Sequence, residues 1–315
     1  MKFALRKLLS LILTVLLVTL FVFAAFELIP GDAATARLGT NATPEALSKL
    51  REELGLNRPF FVRYFSWVIS FFFGDMGTST SYGMSVRSML MDKLPITLFL
   101  TLISFVFIVI LSVPIGLITS KYEDRNLAKV SAAAGQVIMA IPPFFLGILL
   151  TYLFGIVFKL FTPGGFVSYN VNFGKFVGYL IFPALAIAIP KACMCTKLLR
   201  TSILSEAKLD YVRTAYSRGN STMDVLYKHV LKNAIIPVVT FLGMTLADIV
   251  AGSLVIEQVF SIPGFGRLLI SSISNRDYPV VQAIIAIVAI IVIVINLLVD
   301  VLYRVIDPRL REERI

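Results

Sequence analysis

No charged residue interrupts LPITLFLTLISFVFIVILSVPIGLITS, the stretch from Leu94 to Ser120. As a helix rising 1.5 Å per residue it is about 40 Å long, more than the ~30 Å hydrocarbon core of a bilayer. A surface helix of a soluble protein carries charge along one face; this one has no such face. In lipid every backbone N–H and C=O must be satisfied within the segment, so the stretch is read as a membrane-spanning helix.

Comparable runs lie on both sides of it. No charge occurs from Leu8 to Phe26, from Val130 to Phe158 or from Tyr278 to Val299. Two further runs carry isolated charges: Phe176 to Leu199 contains Lys191 and Lys197, and Ala234 to Ile256 contains Asp248. The pattern predicts an all-α membrane protein with six transmembrane helices, the first within 1–29 and the others over about 94–120, 130–158, 176–199, 234–257 and 278–303. Composition agrees. Of 315 residues 57% are hydrophobic and 15% charged, with a mean hydropathy of +0.87, where a soluble domain carries about 25% charged residues.

The net charge of +10 is read as orientation, not as a nucleic-acid footprint. Lys2, Arg6 and Lys7 precede the first span. Lys121, Arg125 and Lys129 lie in the next connection on that side, followed by a basic segment from Lys197 to Lys232 and then Arg304, Arg309, Arg311 and Arg314. This positive-inside bias predicts both termini in the cytoplasm. The outer segment 30–93 also holds basic residues, but loops beyond about 60 residues escape the rule. The first apolar run is longer than a signal-peptide core and no small-x-small cleavage site follows, so it is read as retained. Cys193 and Cys195, two residues apart on a helix, point to nearly opposite faces. They are expected to stay free as small packing residues.

Segment 30–93 is too long for a plain loop. Pro30-Gly31-Asp32 is a turn signature. Thr43-Pro44-Glu45 opens a helix, Leu47, Leu50 and Leu54 recur at helical spacing, and Gly55 closes it. Phe60 to Phe73 is aromatic-rich, as suits a membrane–water boundary. These features predict a small external subdomain over Asn41 to Lys93. Elsewhere Pro163-Gly164-Gly165 marks an outer turn, and Pro142-Pro143 is expected to kink the third span. The membrane core then runs over 94–308, and 309–315 form a cytoplasmic tail.

The segment 200–233 between spans four and five carries the functional signal. It holds Glu206, then Asp210-Tyr211-Val212-Arg213-Thr214-Ala215 and Gly219, and leads through His229 and Asn233 to Pro237. The pattern is an amphipathic charged helix, a glycine break and a second helix returning to the membrane. Helix connections usually take 2–8 residues; an element of this length suits docking into a groove on a soluble partner.

These residues resemble the coupling-loop signature of the ABC importer permeases of the dipeptide/oligopeptide/nickel class. The likeness extends along the chain. Pro30-Gly31-Asp32, Leu54-Gly55-Leu56 with Pro59 and Arg63-Tyr64, and Gly74-Asp75-Met76-Gly77 are similar to the outer segment of that class. Glu257 to Phe260, Pro263-Gly264-Phe265-Gly266 and Arg276-Asp277-Tyr278-Pro279 resemble its later blocks. Asn296, Asp300, Tyr303 and Asp307-Pro308-Arg309 resemble its end. The resemblance implies a coupling loop, with Glu206, Asp210, Tyr211, Arg213, Ala215 and Gly219, that docks on an ATPase subunit. The implied partners are two ABC ATPase subunits, a second and related permease subunit, and an extracytoplasmic solute-binding protein. It implies di- or oligopeptides as cargo, with nickel or another small solute as the alternative, and a cytoplasmic-membrane location. ATP and Mg belong to the ATPase partners. In this chain Gly174-Lys175 is followed by Phe176, so no G-x-x-x-x-G-K-[ST] phosphate loop is present, and a single His excludes an H-E-x-x-H zinc site. No catalytic, cofactor-binding or metal residues are expected here. A gradient-driven secondary transporter, the rival from another class, calls for an internal repeat, and none is visible.

Charges within spans are functional candidates. Asp248 is expected either to line the translocation path or to bond a neighbouring helix. Counting from the span ends places Lys191 and Asp248 on the order of 12 Å apart in depth, which predicts no ion pair between them and leaves Lys191 to snorkel. Asn296 is read as a contact between helices, Asp300 and Asp307 as partners of nearby arginines, and His229 as structural.

Overall fold

The computed structural model describes residues 2–28, 33–38, 43–53 and 55–306. Among these, regular structure is helical apart from an isolated bridge between Thr78 and Ser85. Pro30-Gly31-Asp32, Leu54, Asp307-Pro308-Arg309 and the 309–315 tail fall outside the described residues, as do the side chains of Lys2, Arg6, Lys7, Asp300, Tyr303 and Arg304. In chain order the helices are α1 (Lys2–Leu28), α2 (Ala33–Leu38), α3 (Pro44–Glu53), α4 (Phe60–Phe72), α5 (Val86–Met91), α6 (Leu94–Lys121), α7 (Asn126–Ala140) and α8 (Pro143–Leu150). They continue as α9 (Phe173–Glu206), α10 (Asp210–Ser217), α11 (Thr222–Val225), α12 (Leu231–Ala234), α13 (Ile236–Val259), α14 (Phe265–Ser274) and α15 (Tyr278–Ile306).

Among the described residues five helices are long and apolar enough to cross a membrane; they include α1, α6, α9, α13 and α15. The sixth expected span, 130–158, departs from expectation. It is a pair of helices, α7 and Pro143–Val157, bent by 103°. Pro142 and Pro143 supply no amide donors, Ile141 is extended, and Pro143 starts the new helix at its first turn, so the helical ladder breaks instead of kinking. The pair ends in a wider π-helical turn over Thr151–Val157.

The chain divides into two compact units. One comprises Met1–Thr97 with Pro263–Val294. The described residues of segment 30–93 group in this unit with α1 and with the residues around α14. Helix α4 lies along α1: the Tyr64 hydroxyl donates to the Leu16 carbonyl at 2.7 Å and sits 3.0 Å from the Thr19 hydroxyl. Arg63 pairs with Glu27, and Phe23 meets the rings of Phe60, Tyr64 and Trp67. Asp277, fully buried after α14, accepts hydrogen bonds from the Ser79 hydroxyl, from the Thr80 amide at 3.0 Å and hydroxyl at 3.2 Å, and from the Ser81 amide at 3.4 Å. The carboxylate thus orders the turn enclosed by the Thr78–Ser85 bridge.

The second unit comprises Leu98–Ile262 with Ile295–Ile315. Its axis is α9, about 51 Å long at helical rise, with α7, α8 and α13 packed on it. Asn172 caps its start, its side chain accepting from the Lys175 amide at 2.9 Å. The buried side of α9 is rich in small residues, Ala184, Ala188, Ala192 and Cys195 among them, which lets neighbouring backbones approach. Gly116 of α6 is one such approach: a Cβ there would lie 2.8 Å from Leu199 Cδ2. Cys193 and Cys195 are both free.

Asp277→Ala leaves the Ser79 hydroxyl and the Thr80 amide without their acceptor, at about 1–3 kcal/mol for each buried donor orphaned. The expected result is a lower thermal-unfolding midpoint in mild detergent and new proteolysis at 79–82, with Asp277→Asn, which keeps one acceptor oxygen, intermediate.

Candidate functional site

The candidate segment begins where α9 ends. Ala207, Lys208 and Leu209 turn the chain, and α10 starts with Asp210 in its first turn, where a carboxylate favours the helix dipole. Val212 and Ala215 are buried, as are Val225, Leu226 and Val230 of the returning segment. These apolar residues let the two short helices fold against each other. Gly219 ends the first helix at φ +80°, a conformation glycine adopts without strain. Asn220 closes the same corner, donating from Nδ2 to the Ala215 carbonyl at 2.9 Å. Ser221 and Asp224 then form a reciprocal cap, the Ser221 Oγ accepting from the Asp224 amide and donating to its carboxylate at 2.6 Å. Lys228 lies 2.7 Å from Asp224. Lys228, and then Ser221, hold the Asp224 carboxyl below its usual range.

Three side chains from three helices converge at the base of α10. Glu206 Oε1 accepts from the Tyr211 hydroxyl at 2.7 Å and from Asn233 Nδ2 at 3.0 Å, and Asn233 Nδ2 is 3.2 Å from the Tyr211 oxygen. Glu206 is the last residue of α9, Tyr211 lies in the first turn of α10, and Asn233 lies in α12 just before α13. The triangle therefore clasps the short helix to the ends of two long ones. Partial burial pushes the Tyr211 phenol up, and its bond to Glu206 adds to the rise.

The structure sorts the expected coupling residues. Asp210 and Arg213 stand on the open face of α10, 97% and 79% exposed, 3.6 Å apart. Leu209 and Tyr216 are exposed beside them. Ala215 faces inward and supports the helix. Gly219 makes the corner, and Glu206 and Tyr211 form the clasp. Asn233 was visible in the sequence as part of a motif; its bond to Glu206, twenty-seven residues away, was not. His229 is exposed on the returning segment, and Asn296 is exposed on α15.

The charges within the spans correct the sequence reading. Lys191 Nζ and Asp248 Oδ2 are 2.8 Å apart, a direct ion pair between α9 and α13. The depth count failed because it equated helix ends with the borders of the membrane core, whereas α9 begins at Phe173 and ends at Glu206. The register is set by Tyr179, whose hydroxyl donates to the Phe260 carbonyl at 2.7 Å. Lys191 and Asp248 each lie twelve residues from that contact along antiparallel helices, about 18 Å away on both, and so meet. Asp248 is 64% exposed and Lys191 25%, so the pair opens outward from the unit. An exposed carboxylate at this depth is too costly to face lipid.

Family models match nearly the whole chain: one described as binding-protein-dependent transport system inner membrane component over residues 112–312, and its N-terminal companion over residues 1–101. The chain belongs to this family. It is thus a transport permease seated in the cytoplasmic membrane by several spans, in a family whose members work with ATPase and binding-protein partners. Similar proteins include one named a probable peptide ABC transporter permease from Sinorhizobium fredii, 34% identical over 98% of this chain and 99% of its own length. The oligopeptide transport system permease protein AppB of Bacillus subtilis is 33% identical over 98% of each chain. The glutathione transport system permease protein GsiC of Salmonella choleraesuis is 34% identical over 99% of each.

Tyr211→Phe removes two bonds of the clasp and leaves Glu206 to Asn233 alone. The expected loss is about 1 kcal/mol in the stability of the segment, read as faster amide exchange over 207–217. Because the folded phenol titrates above its ordinary value of about 10, its contribution is full below pH 10 and is lost as pH rises through the higher folded value. Alkaline titration of tyrosinate absorbance, wild type minus Tyr211→Phe, should show that late component.

Proposed function

We infer that this permease is one membrane-spanning subunit of an ATP-binding-cassette importer, and that its cargo is short peptides. The clasp at the base of α10 carries the reading. A short helix with a charged open face, Asp210 and Arg213, beside exposed Leu209 and Tyr216, has the character of a docking surface for a soluble protein. Because Glu206, Tyr211 and Asn233 bind that helix to the ends of α9 and α13, displacing it moves both. These two helices bear Lys191 and Asp248. A push at the docking face is thereby transmitted to the charged pair about 22 Å away along α9.

In this reading the docking partner is an ATPase subunit on the cytoplasmic side, with ATP and Mg bound there and not in this chain. Two ATPases close around ATP, so two coupling helices are needed. This chain supplies one and a second, related permease supplies the other. A solute-binding protein delivers cargo at the outer face of the membrane. The peptide assignment rests on the names of the relatives, among them peptide, oligopeptide and glutathione permeases. The Lys191–Asp248 pair supports it chemically. A peptide with free termini brings an ammonium for Asp248 and a carboxylate for Lys191, so that each charge within the spans can exchange one partner for another without being left bare.

Co-purification from the native host in mild detergent should recover ATPase subunits and a second permease. Arg213→Glu, at an exposed position, should leave the protein folded and weaken ATPase retention about tenfold, equivalent to ~1.4 kcal/mol at an interface; full retention with normal uptake would sink the coupling assignment. Asp248→Asn should lower uptake of peptides with a free amino terminus about tenfold on the same scale, while N-acetylated peptides change little. Equal uptake of both by the variant and the parent would remove Asp248 from the path.

A further inference from the structure

A cavity of about 490 Å³ lies among α6, α7 and α9, lined by no residue of the ion pair or the clasp. Its lining is graded. Toward the turn that joins α6 to α7 it presents Thr119, Ser131, Lys197, Arg200 and Thr201, with Ala128 and Leu204 beside them. At the other end it presents Leu111, Ile115, Ile138, Met139 and Ile189. Gln136, Cys193 and Thr196 lie between. Small residues, Ala132 and Gly135 of α7 and Ala192 of α9, keep the helices from filling the space themselves.

Two features of the polar end point to an occupant. Lys197 and Arg200 are one helical turn apart on α9, and no acidic residue lines the cavity. Arg200 Nε is enclosed and makes no hydrogen bond among the described residues. A buried donor left unpaired is unfavourable, more so on a charged group, and a guanidinium is suited to a phosphate or carboxylate. An anion seated here would give both cations a partner.

The gradient selects the kind of anion. A cationic end beside the helix ends and an apolar end deeper along the spans is the polarity of a bilayer lipid, phosphate at the boundary and acyl chain within. A peptide with free termini needs an acid for its ammonium, and this cavity offers none. Basic pockets between membrane helices are a recurrent setting for anionic head groups, and the volume lies in the range of small-ligand pockets, about 300–1,000 Å³. We propose that the cavity among α6, α7 and α9 is a binding site for one anionic phospholipid. Arg200 and Lys197 hold its phosphate, and an acyl chain lies along Leu111, Ile115 and Met139. The occupied site braces α7 against α9 near its last turns, next to the clasp.

The test is native mass spectrometry of the purified full chain, in its assembly, with phosphatidylglycerol or phosphatidylcholine added. One phosphatidylglycerol per copy should be retained and phosphatidylcholine should not. The Lys197→Gln/Arg200→Gln double variant should lower retention at least tenfold, and Arg200→Lys should restore most of it. Ala132→Phe, which fills the apolar space and leaves both cations in place, should also release the lipid, so the result does not depend on the double variant folding. Equal retention of phosphatidylglycerol by parent and both variants would overturn the proposal. So would equal retention of the two lipids, displacement by inorganic phosphate alone, displacement by a tripeptide with free termini, or occupation of the cavity by the partner permease.

Discussion

The hydroxyl of Tyr179 controls how the second unit is put together. The carbonyls of a helix's last turn have no partner within the helix, and in a membrane protein no water inside the core makes good the loss. Phe260, at the end of α13, has its carbonyl satisfied by Tyr179 of α9, while the same hydroxyl accepts from the Gly164 amide at 3.1 Å. One side chain thus ties two spans and the loop before α9 at a single level. Antiparallel helices pinned at one point have the rest of their register decided, and the Lys191–Asp248 pair follows from it. Sliding either helix by one turn would separate those charges by about 5 Å and leave each unpaired at a depth where charge is expensive.

The same economy appears at the other end of α9. A glutamate, a tyrosine and an asparagine, each weakly placed alone, satisfy one another and join three chain segments. The joint matters mechanically, because a short helix on a loose tether could move without moving the long helices beside it. Gly219 and Asn220 close the corner behind it, and the Ser221–Asp224 cap restarts the helix that leads back to the membrane. Bulk apolar packing supplies affinity between spans but little direction; the directional information lies in these few polar contacts.

Asp277 works in a related way in the first unit. A fully buried carboxylate is costly unless its charge is spread over good donors. Here the donors are two amides and two hydroxyls of one short turn, and no cation is among the contacts that hold it. The arrangement exchanges the solvation of one acid for the order of a loop that has only an isolated bridge to shape it. The broken pair α7 and α8 shows the converse. Two consecutive prolines remove donors where nothing compensates within the helix, and the chain changes direction by 103°.

The positions of the apolar runs, the helical class and the turn at Gly219 were legible in the amino-acid order, because hydrophobic length and glycine conformation are local properties; the turn at Ala207–Leu209 that makes α10 a separate short helix was not. Segment 200–233 was likewise marked by charge and length, and the resemblance along the chain led to the right family. The contacts that make the site were not legible. Glu206 with Asn233, Lys191 with Asp248, Tyr179 with Phe260 and Ser79 with Asp277 join residues from 27 to 198 positions apart, and no local rule relates them. The sequence by itself determined which segments enter the membrane and where chemistry-bearing residues are available. Only the tertiary structure decided the register between spans, because in an environment where apolar faces are interchangeable, the choice among alignments is made by the few polar groups that must find partners.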